Sequence, residues 1–265
     1  MVVFYHMTEN EVKNYGNFHL SIEINAQFIH FLLIDKSNKK GVAIETIPLD
    51  KKDLSTAFNE SEIVQKSALD TVSCVFQNSA FTLVPNSIFQ ENKSLTYLEF
   101  NQTSLESFEI NHDKLVKQEI TNCYGIDKTS KEFLSGLFPN IKYLHIGSVM
   151  IDCLSDGFHV NFSTEKEFEI TAIENKKLIF FNRFIAENTD ETLYYLSLVA
   201  EKLKLDIQKI KIGLSGMIGP KDEKYLFWSQ FIPKENLNFN EIETSQLNAI
   251  STHRFFTLHK QIQCV

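Results

Sequence analysis

The amino-acid sequence predicts an α/β protein of two tandem domains, each a mixed sheet that opens with three antiparallel strands and is flanked by helices. Three observations lead there. One order of elements, strand, strand, strand, helix, strand, occurs twice, beginning near residues 19 and 158. The length of 265 residues is long for one domain and comfortable for two. Only five prolines and nine glycines interrupt the chain, so most of it is committed to regular elements.

The first block, residues 19–49, reads HLSIEINAQFIHFLLIDKSNKKGVAIETIPL. Leu20, Ile22 and Ile24 alternate with polar residues, Phe28 to Ile34 is a denser apolar run, and Lys36 to Gly41 is a charged turn. Val42 to Leu49 makes the third strand. Asp50 or Asp53 is placed to cap a helix, and LSTAFNESEIVQKSAL has helical apolar spacing at Leu54, Phe58 and Leu69. TVSCVFQ at 71–77 and AFTLVP at 80–85 read as short strands. The middle third, with strand-like ESFEIN and QEITNCYG, helical TSKEFLSGLF and a last strand IKYLHIG, completes the first domain. The pattern breaks at DCLSDG, which places the domains at 1–152 and 153–265.

The second block, residues 158–185, repeats the figure. Val160 and Phe162 alternate, Phe168, Ile170 and Ile173 form the second run, ENKK makes the turn, and Leu178 to Phe184 is the third strand. Laid on the first block without a gap, His159 falls on His19, Phe162 on Ile22, Phe168 on Phe28 and Lys176 on Lys36. The helix TDETLYYLSLVAEKLKLD follows, with Thr189 or Asp190 as its cap and Leu193, Leu196, Val199, Ala200 and Leu203 on one face. The strand KIKIGLSG comes next. A repeat this long points to domain duplication rather than to a solenoid.

Composition removes several classes. The net charge of −8, with no Lys/Arg cluster longer than a pair, supplies no footprint for nucleic-acid phosphates. Cys74, Cys123, Cys153 and Cys264 are far apart, which reads as reduced thiols rather than a zinc site or disulfide framework. No basic leader and no apolar run of about 18 residues is found, so the expectation is a cytoplasmic protein with no membrane partner.

The hairpin blocks at 19–49 and 158–185, the helix at 189–204 and the strand and glycine turn at 209–219 together resemble two tandem ribonuclease-H-like domains, the arrangement of the actin-like ATPase superfamily. More narrowly, the chain resembles a bacterial family of unknown function built as two degenerate actin-like domains. The resemblance implies an acidic residue and glycines in the turn between the first two strands of each domain, where backbone N–H groups approach phosphates. Here those turns are EINAQF, 23–28, and NFSTEKEF, 161–168, and neither holds a glycine. Glu165 and Glu167 also place negative charge where a triphosphate would lie.

The third nucleotide element of such ATPases is a glycine-rich turn after a strand of the second domain, and IGLSGMIG stands there. Gly213, Ser215, Gly216 and Gly219 are therefore the cofactor-binding candidates, for ATP with magnesium, under a nucleotide reading that uses the cleft between domains. Ser215 does not satisfy G-x-S-x-G and is a poor nucleophile candidate. The leading expectation is a non-catalytic protein that binds a protein partner or itself, with no cofactor and no metal. The alternative is a nucleotide-binding protein or slow ATPase.

A metal-dependent nuclease would need convergent carboxylates, for which Glu23, Asp35, Glu109 and Asp113 are the available residues. A solvent-facing strand position explains Glu23 and a turn explains Asp35. His19 and His159 sit at matching positions before each first strand, His253 and His259 are too widely spaced to share a helix face, and His112-Asp113 reads as loop. The aromatic segments LFWSQFIP, 226–233, and HRFFTL, 253–258, read first as core, with Tyr225, Phe227, Trp228 and Phe231 offering more apolar surface than one helix face buries.

Overall fold

The computed structural model describes residues 17–49, 53–66, 69–102, 104–244 and 251–265. They divide into two compact units. One holds the described residues up to Asp152 together with 243–244 and 258–265; the other holds Cys153–Ile242 and 251–257. The end of the chain, which the sequence reading put wholly in the second domain, is shared between the two.

In the first unit β1 (Phe18–Ile24), β2 (Phe28–Asp35) and β3 (Lys40–Pro48) are antiparallel neighbours. Two short helices follow, α1 (Leu54–Glu60) and α2 (Glu62–Lys66), and then β4 (Thr71–Phe76), parallel to β1. β5 (Phe81–Pro85), α3 (Ser94–Glu99), β6 (Phe108–Leu115) and β7 (Ile120–Asp127) come next, then α4 (Lys128–Leu137), β8 (Lys142–His145) and α5 (Ile146–Cys153). The main sheet has the order β3-β2-β1-β4-β8, and β5-β7-β6 form a separate antiparallel sheet.

Alternation explains the core. Leu20, Ile22 and Ile24 leave one face of β1 and pack with Phe31, Phe58, Cys74 and Tyr124. Each such buried side chain contributes roughly 1.5–3 kcal/mol relative to exposure. The single helix expected over 54–69 is two, because Glu45 on β3 reaches into the gap. Its buried carboxylate accepts from the Ser61 hydroxyl at 2.6 Å and from the backbone N–H of Glu62 and Ile63, while the Ser61 hydroxyl accepts from Val64 N–H. Asp53 caps α1 through Thr56 N–H, as a helix start requires; Asp50, the other candidate, lies outside the described residues.

The second unit repeats the order. β9 (Gly157–Phe162), β10 (Glu167–Glu174) and β11 (Lys177–Ile185) are antiparallel neighbours, followed by α6 (Thr189–Lys202) and β12 (Ile212–Gly216), parallel to β9. α7 (Glu223–Trp228) leads to the short β13 (Leu237–Phe239), parallel to β12. The sheet order β11-β10-β9-β12-β13 reproduces that of the first unit strand for strand. The cap of α6 is Asn188, not Thr189 or Asp190: its Oδ1 accepts from Glu191 N–H, and Glu191 returns a carboxylate to Glu187 N–H. Trp228 lies in the core against Phe162, its indole N–H donating to Thr192 Oγ1. Phe231, Leu226 and Tyr194 remain exposed.

The ladders correct the gapless alignment. Ile24 ends β1 paired with Ile29 and Phe76, its carbonyl accepting from Gln77 N–H; Phe162 ends β9 paired with Phe168 and Gly216, its carbonyl accepting from Met217 N–H. Ile24, not Ile22, is therefore the counterpart of Phe162. His159 then corresponds to Ser21, so the two histidines do not occupy matching positions. A shift of two residues preserves which face a side chain takes, so hydrophobic pattern alone does not detect it.

Candidate functional site

The two turns at the phosphate positions bind their own backbone. Between β1 and β2, Asn25 Oδ1 accepts from the N–H groups of Gln27 and Phe28, both at 2.8 Å, and Asn25 N–H donates to Phe28 O. Its amide donates to Gln77 Oε1 at 3.3 Å. Between β9 and β10, Thr164 Oγ1 accepts from the N–H groups of Lys166 at 3.2 Å and Glu167 at 3.0 Å, and Thr164 N–H donates to Glu167 O. Asn25 and Thr164 are both buried. Asn and Thr side chains are suited to this, since each mimics a backbone acceptor two or three residues ahead.

Beneath the second turn lies a charged network. Glu169 on β10 is fully buried and accepts from Asn161 Nδ2 at 2.8 Å, from the Ser163 hydroxyl at 2.7 Å and from Arg183 Nη1 at 2.5 Å. Arg183 also pairs with Glu167 at 2.9 Å. Glu167 is therefore held by a guanidinium instead of standing unpaired, while Glu165 is exposed. A buried carboxylate with a cation and two neutral donors is a satisfied group.

The glycine-rich segment is occupied by the protein's own atoms. Gly216 has φ +79°, and a Cβ there would lie 2.1 Å from Phe162 O, so only glycine fits. At Gly213 a Cβ would come within 2.5 Å of His159 Nδ1 and 2.7 Å of Asn240 Oδ1. The buried Ser215 hydroxyl donates to Asn161 Oδ1 at 2.9 Å. Gly219 meets only Asp222 at ordinary contact distance. Three of the four candidates thus lie on β12 with structural neighbours in hand, and Gly219 lies in the turn beyond. His253 Nε2 is 2.6 Å from Ile218 O, closing that turn.

In the first unit the corresponding seam between β1 and β4 carries a line of uncharged side chains beside the buried Glu23. His19 Nδ1 is 2.8 Å from Thr71 Oγ1 and its Nε2 is 2.9 Å from Ser73 Oγ. Burial, with Lys36 nearby, lowers the His19 pKa to about 4 and keeps the ring uncharged at neutral pH. Ser73 Oγ donates to Gln261 Oε1 at 2.7 Å, and Gln261 Nε2 donates to Ile22 O at 3.0 Å.

The nuclease carboxylates do not converge. Glu23, expected to face solvent, is 4 % exposed on β1. Asp35 accepts from Ser37 and Asn38 in its turn. Glu109 pairs with Lys131 at 2.7 Å. Asp113, expected in a loop with His112, sits on β6 and accepts from the Tyr124 hydroxyl and from His145 N–H; burial raises its pKa. His253 and His259 belong to different units. Among the described residues no three His, Cys, Asp or Glu side chains form a group able to hold a metal ion, and no helix is long and apolar enough to cross a membrane.

Asn25, Thr164, Arg183 with Glu169, and Gln261 were not singled out by sequence reasoning. Asn25 and Thr164 carried a readable signal as turn-forming residues three positions before a strand. The pairing of Arg183 with Glu169 and the reach of Gln261 to Ser73 depend on tertiary contact alone.

Two sheets of identical strand order, each opening with three antiparallel strands and continuing in parallel through a helix, define an α/β protein with the actin-like ATPase fold. The chain belongs to the family described as Protein of unknown function (DUF3822), whose model matches residues 7–234. It is similar to a Bacteroides thetaiotaomicron protein with actin-like ATPase fold and unknown function, with TM-score 0.78 and 18% identity over 98% of this chain and 100% of that one. Weaker likenesses are to the cytoplasmic domain of EpsL, an inner membrane component of the type II secretion system of Vibrio cholerae, and to the ethanolamine utilization protein EutJ of Carboxydothermus hydrogenoformans. The former has TM-score 0.49 and 13% identity over 94% of this chain and 96% of that one. The latter has TM-score 0.49 and 9% identity over 94% and 90%. A search of curated proteins finds no match.

Proposed function

We propose that this protein is a non-catalytic member of the actin-like fold, arisen by domain duplication, that acts by binding a protein partner or a second copy of itself. The observation that carries this reading is the self-capping of both phosphate-position turns. A phosphate bound there needs the turn's N–H groups, and those of Gln27, Phe28, Lys166 and Glu167 already donate to Asn25 and Thr164. Gly213 and Gly216 have a sufficient reason in His159, Asn240 and the Phe162 carbonyl, which removes the need for a ligand to explain them.

The test is thermal unfolding of the purified protein with and without millimolar magnesium nucleotides, ATP, ADP and GTP in turn. The expected result is an unchanged midpoint. A ligand at about 100 times its Kd adds roughly 2.7 kcal/mol, on the order of 5–11 °C for a chain of this size. A shift of that order overturns the reading in favour of a nucleotide-binding protein or slow ATPase, with Gly213, Ser215, Gly216 and Gly219 the first residues to substitute.

A further inference from the structure

We propose that His253 is held as an imidazolium and works as a pH-sensitive clamp on the glycine turn after β12, tight while the ring carries both protons and slackened when it loses one. The inference stands apart from the nucleotide question, because it rests on the hydrogen bonds of the ring and not on what the turn binds.

His253 is 2 % exposed. Its Nε2 lies 2.6 Å from Ile218 O, and its Nδ1 lies 3.3 Å from Glu241 Oε1. A carbonyl oxygen and a carboxylate oxygen both accept, so each ring nitrogen needs a proton to make its bond. A neutral ring has one bare nitrogen, and in either tautomer that lone pair would point at one of these oxygens in a buried place. Turning the ring over would set carbon atoms opposite both oxygens and forfeit both bonds. The bond of 2.6 Å to Ile218 O is also shorter than the roughly 2.9 Å usual for a neutral N–H donor, as a charged donor makes it. The other buried histidines described differ. His19 meets the hydroxyls of Thr71 and Ser73, His145 Nδ1 accepts from Gly147 N–H, and Nδ1 of His159 and of His259 has no partner.

The surroundings suit a charged ring. The second carboxylate oxygen of Glu241 accepts from the Thr252 hydroxyl and from His253 N–H, which fixes the anion beside the imidazole. The Phe239 ring centroid lies 4.4 Å from that of His253, and an aromatic ring this close favours a cation. β12 packs against residues 252–255 and brings no ionisable side chain, nor does the turn from Met217 to Gly219. Arg254, next in the chain, is turned to Asp222 at 3.9 Å. Glu241 is thus the one charged side chain bonded to the ring among the described residues. Because the folded protein holds the charged form, the clamp is present on the acid side and is lost as pH rises. This is the reverse of His19, which burial keeps uncharged. Loss of a proton sets a lone pair against Ile218 O or Glu241, and the turn loses the side chain that closes it.

The test is a titration of the full-length, nitrogen-15-labelled protein by NMR from about pH 5.5 to about pH 9, a span that covers the charge change of histidine. The His253 ring signals are assigned by their absence from His253→Gln protein. At the acid end both His253 ring nitrogens are expected to carry protons, and one bare nitrogen there overturns the proposal. The amides of Met217 and His253 donate to Phe162 O at 2.7 Å and to Glu241 Oε2 at 3.1 Å. Their protection from hydrogen exchange, taken relative to the intrinsic rate at each pH, is expected to fall at least about tenfold across the titration while the amides of α6 keep theirs. Constant protection at Met217 and His253, or an equal fall in α6, overturns the proposal. Glu241 is more than half exposed, and Glu241→Gln is expected to move the loss of the ring proton to lower pH, since the cation then lacks its anion. An unmoved midpoint overturns the proposal as well. Should His253→Gln fail to fold, the same shift in Glu241→Gln protein assigns the ring signals.

Discussion

The two units bury polar residues on the central strands of identically ordered sheets, and they satisfy them differently. In the first, a line of uncharged groups does so: Thr71, His19, Ser73 and Gln261 pass hydrogen bonds along it and end on Ile22 O. In the second, the network is built on an ion pair: Glu169 is held by Arg183, Asn161 and Ser163, and Ser215 is tied to Asn161. A neutral chain loses about 1–3 kcal/mol when one partner goes, whereas a buried ion left alone costs about 3–5 kcal/mol. The same topology therefore satisfies its buried polar groups in one unit through a line of uncharged side chains and in the other around an ion pair.

The largest effect that separates them is expected at Gly216. Gly216→Val places a side chain on a carbonyl at positive φ, and a loss of about 5 kcal/mol or more is expected. Trp228, the one tryptophan of the chain, lies in the second unit and reports it as loss of the fluorescence-detected unfolding transition. Arg183→Met comes next, with a loss of about 3–5 kcal/mol in denaturant unfolding. Adding Glu169→Gln is expected to recover much of it, since the uncompensated charge is then gone.

The hydrogen-bonded line through His19 is expected to respond to acid. The folded pKa of His19 is lowered to about 4 from 6.5, so the folded state takes up its proton later than the unfolded chain. Its contribution is fully present above pH 6.5 and is lost as pH falls towards 4. The loss amounts to up to about 3 kcal/mol by linkage. Unfolding midpoints measured between neutral pH and pH 4 check this, and His19→Gln is expected to flatten the profile.

The fold was legible because strand alternation and element order are local signals. Leu20, Ile22 and Ile24 declared one face of β1, and the glycines after Leu214 marked the end of a strand. What was hidden depends on contact across the sheet. Glu23 looked solvent-facing because alternation tells one face from the other and says nothing of whether the second face is covered. The break of one helix into two at Ser61 comes from Glu45, distant in sequence. The glycine motif showed where close approach was needed but not that the approaching group is Phe162 O instead of a phosphate.

Amide hydrogen exchange at Gln27, Phe28, Lys166 and Glu167, with and without millimolar magnesium-ATP, tests the self-capped turns most directly. The account predicts that all four amides are protected in nucleotide-free protein and that nucleotide leaves their rates unchanged. Rapid exchange that slows when nucleotide is added would contradict it, for those N–H groups would then be waiting for a phosphate.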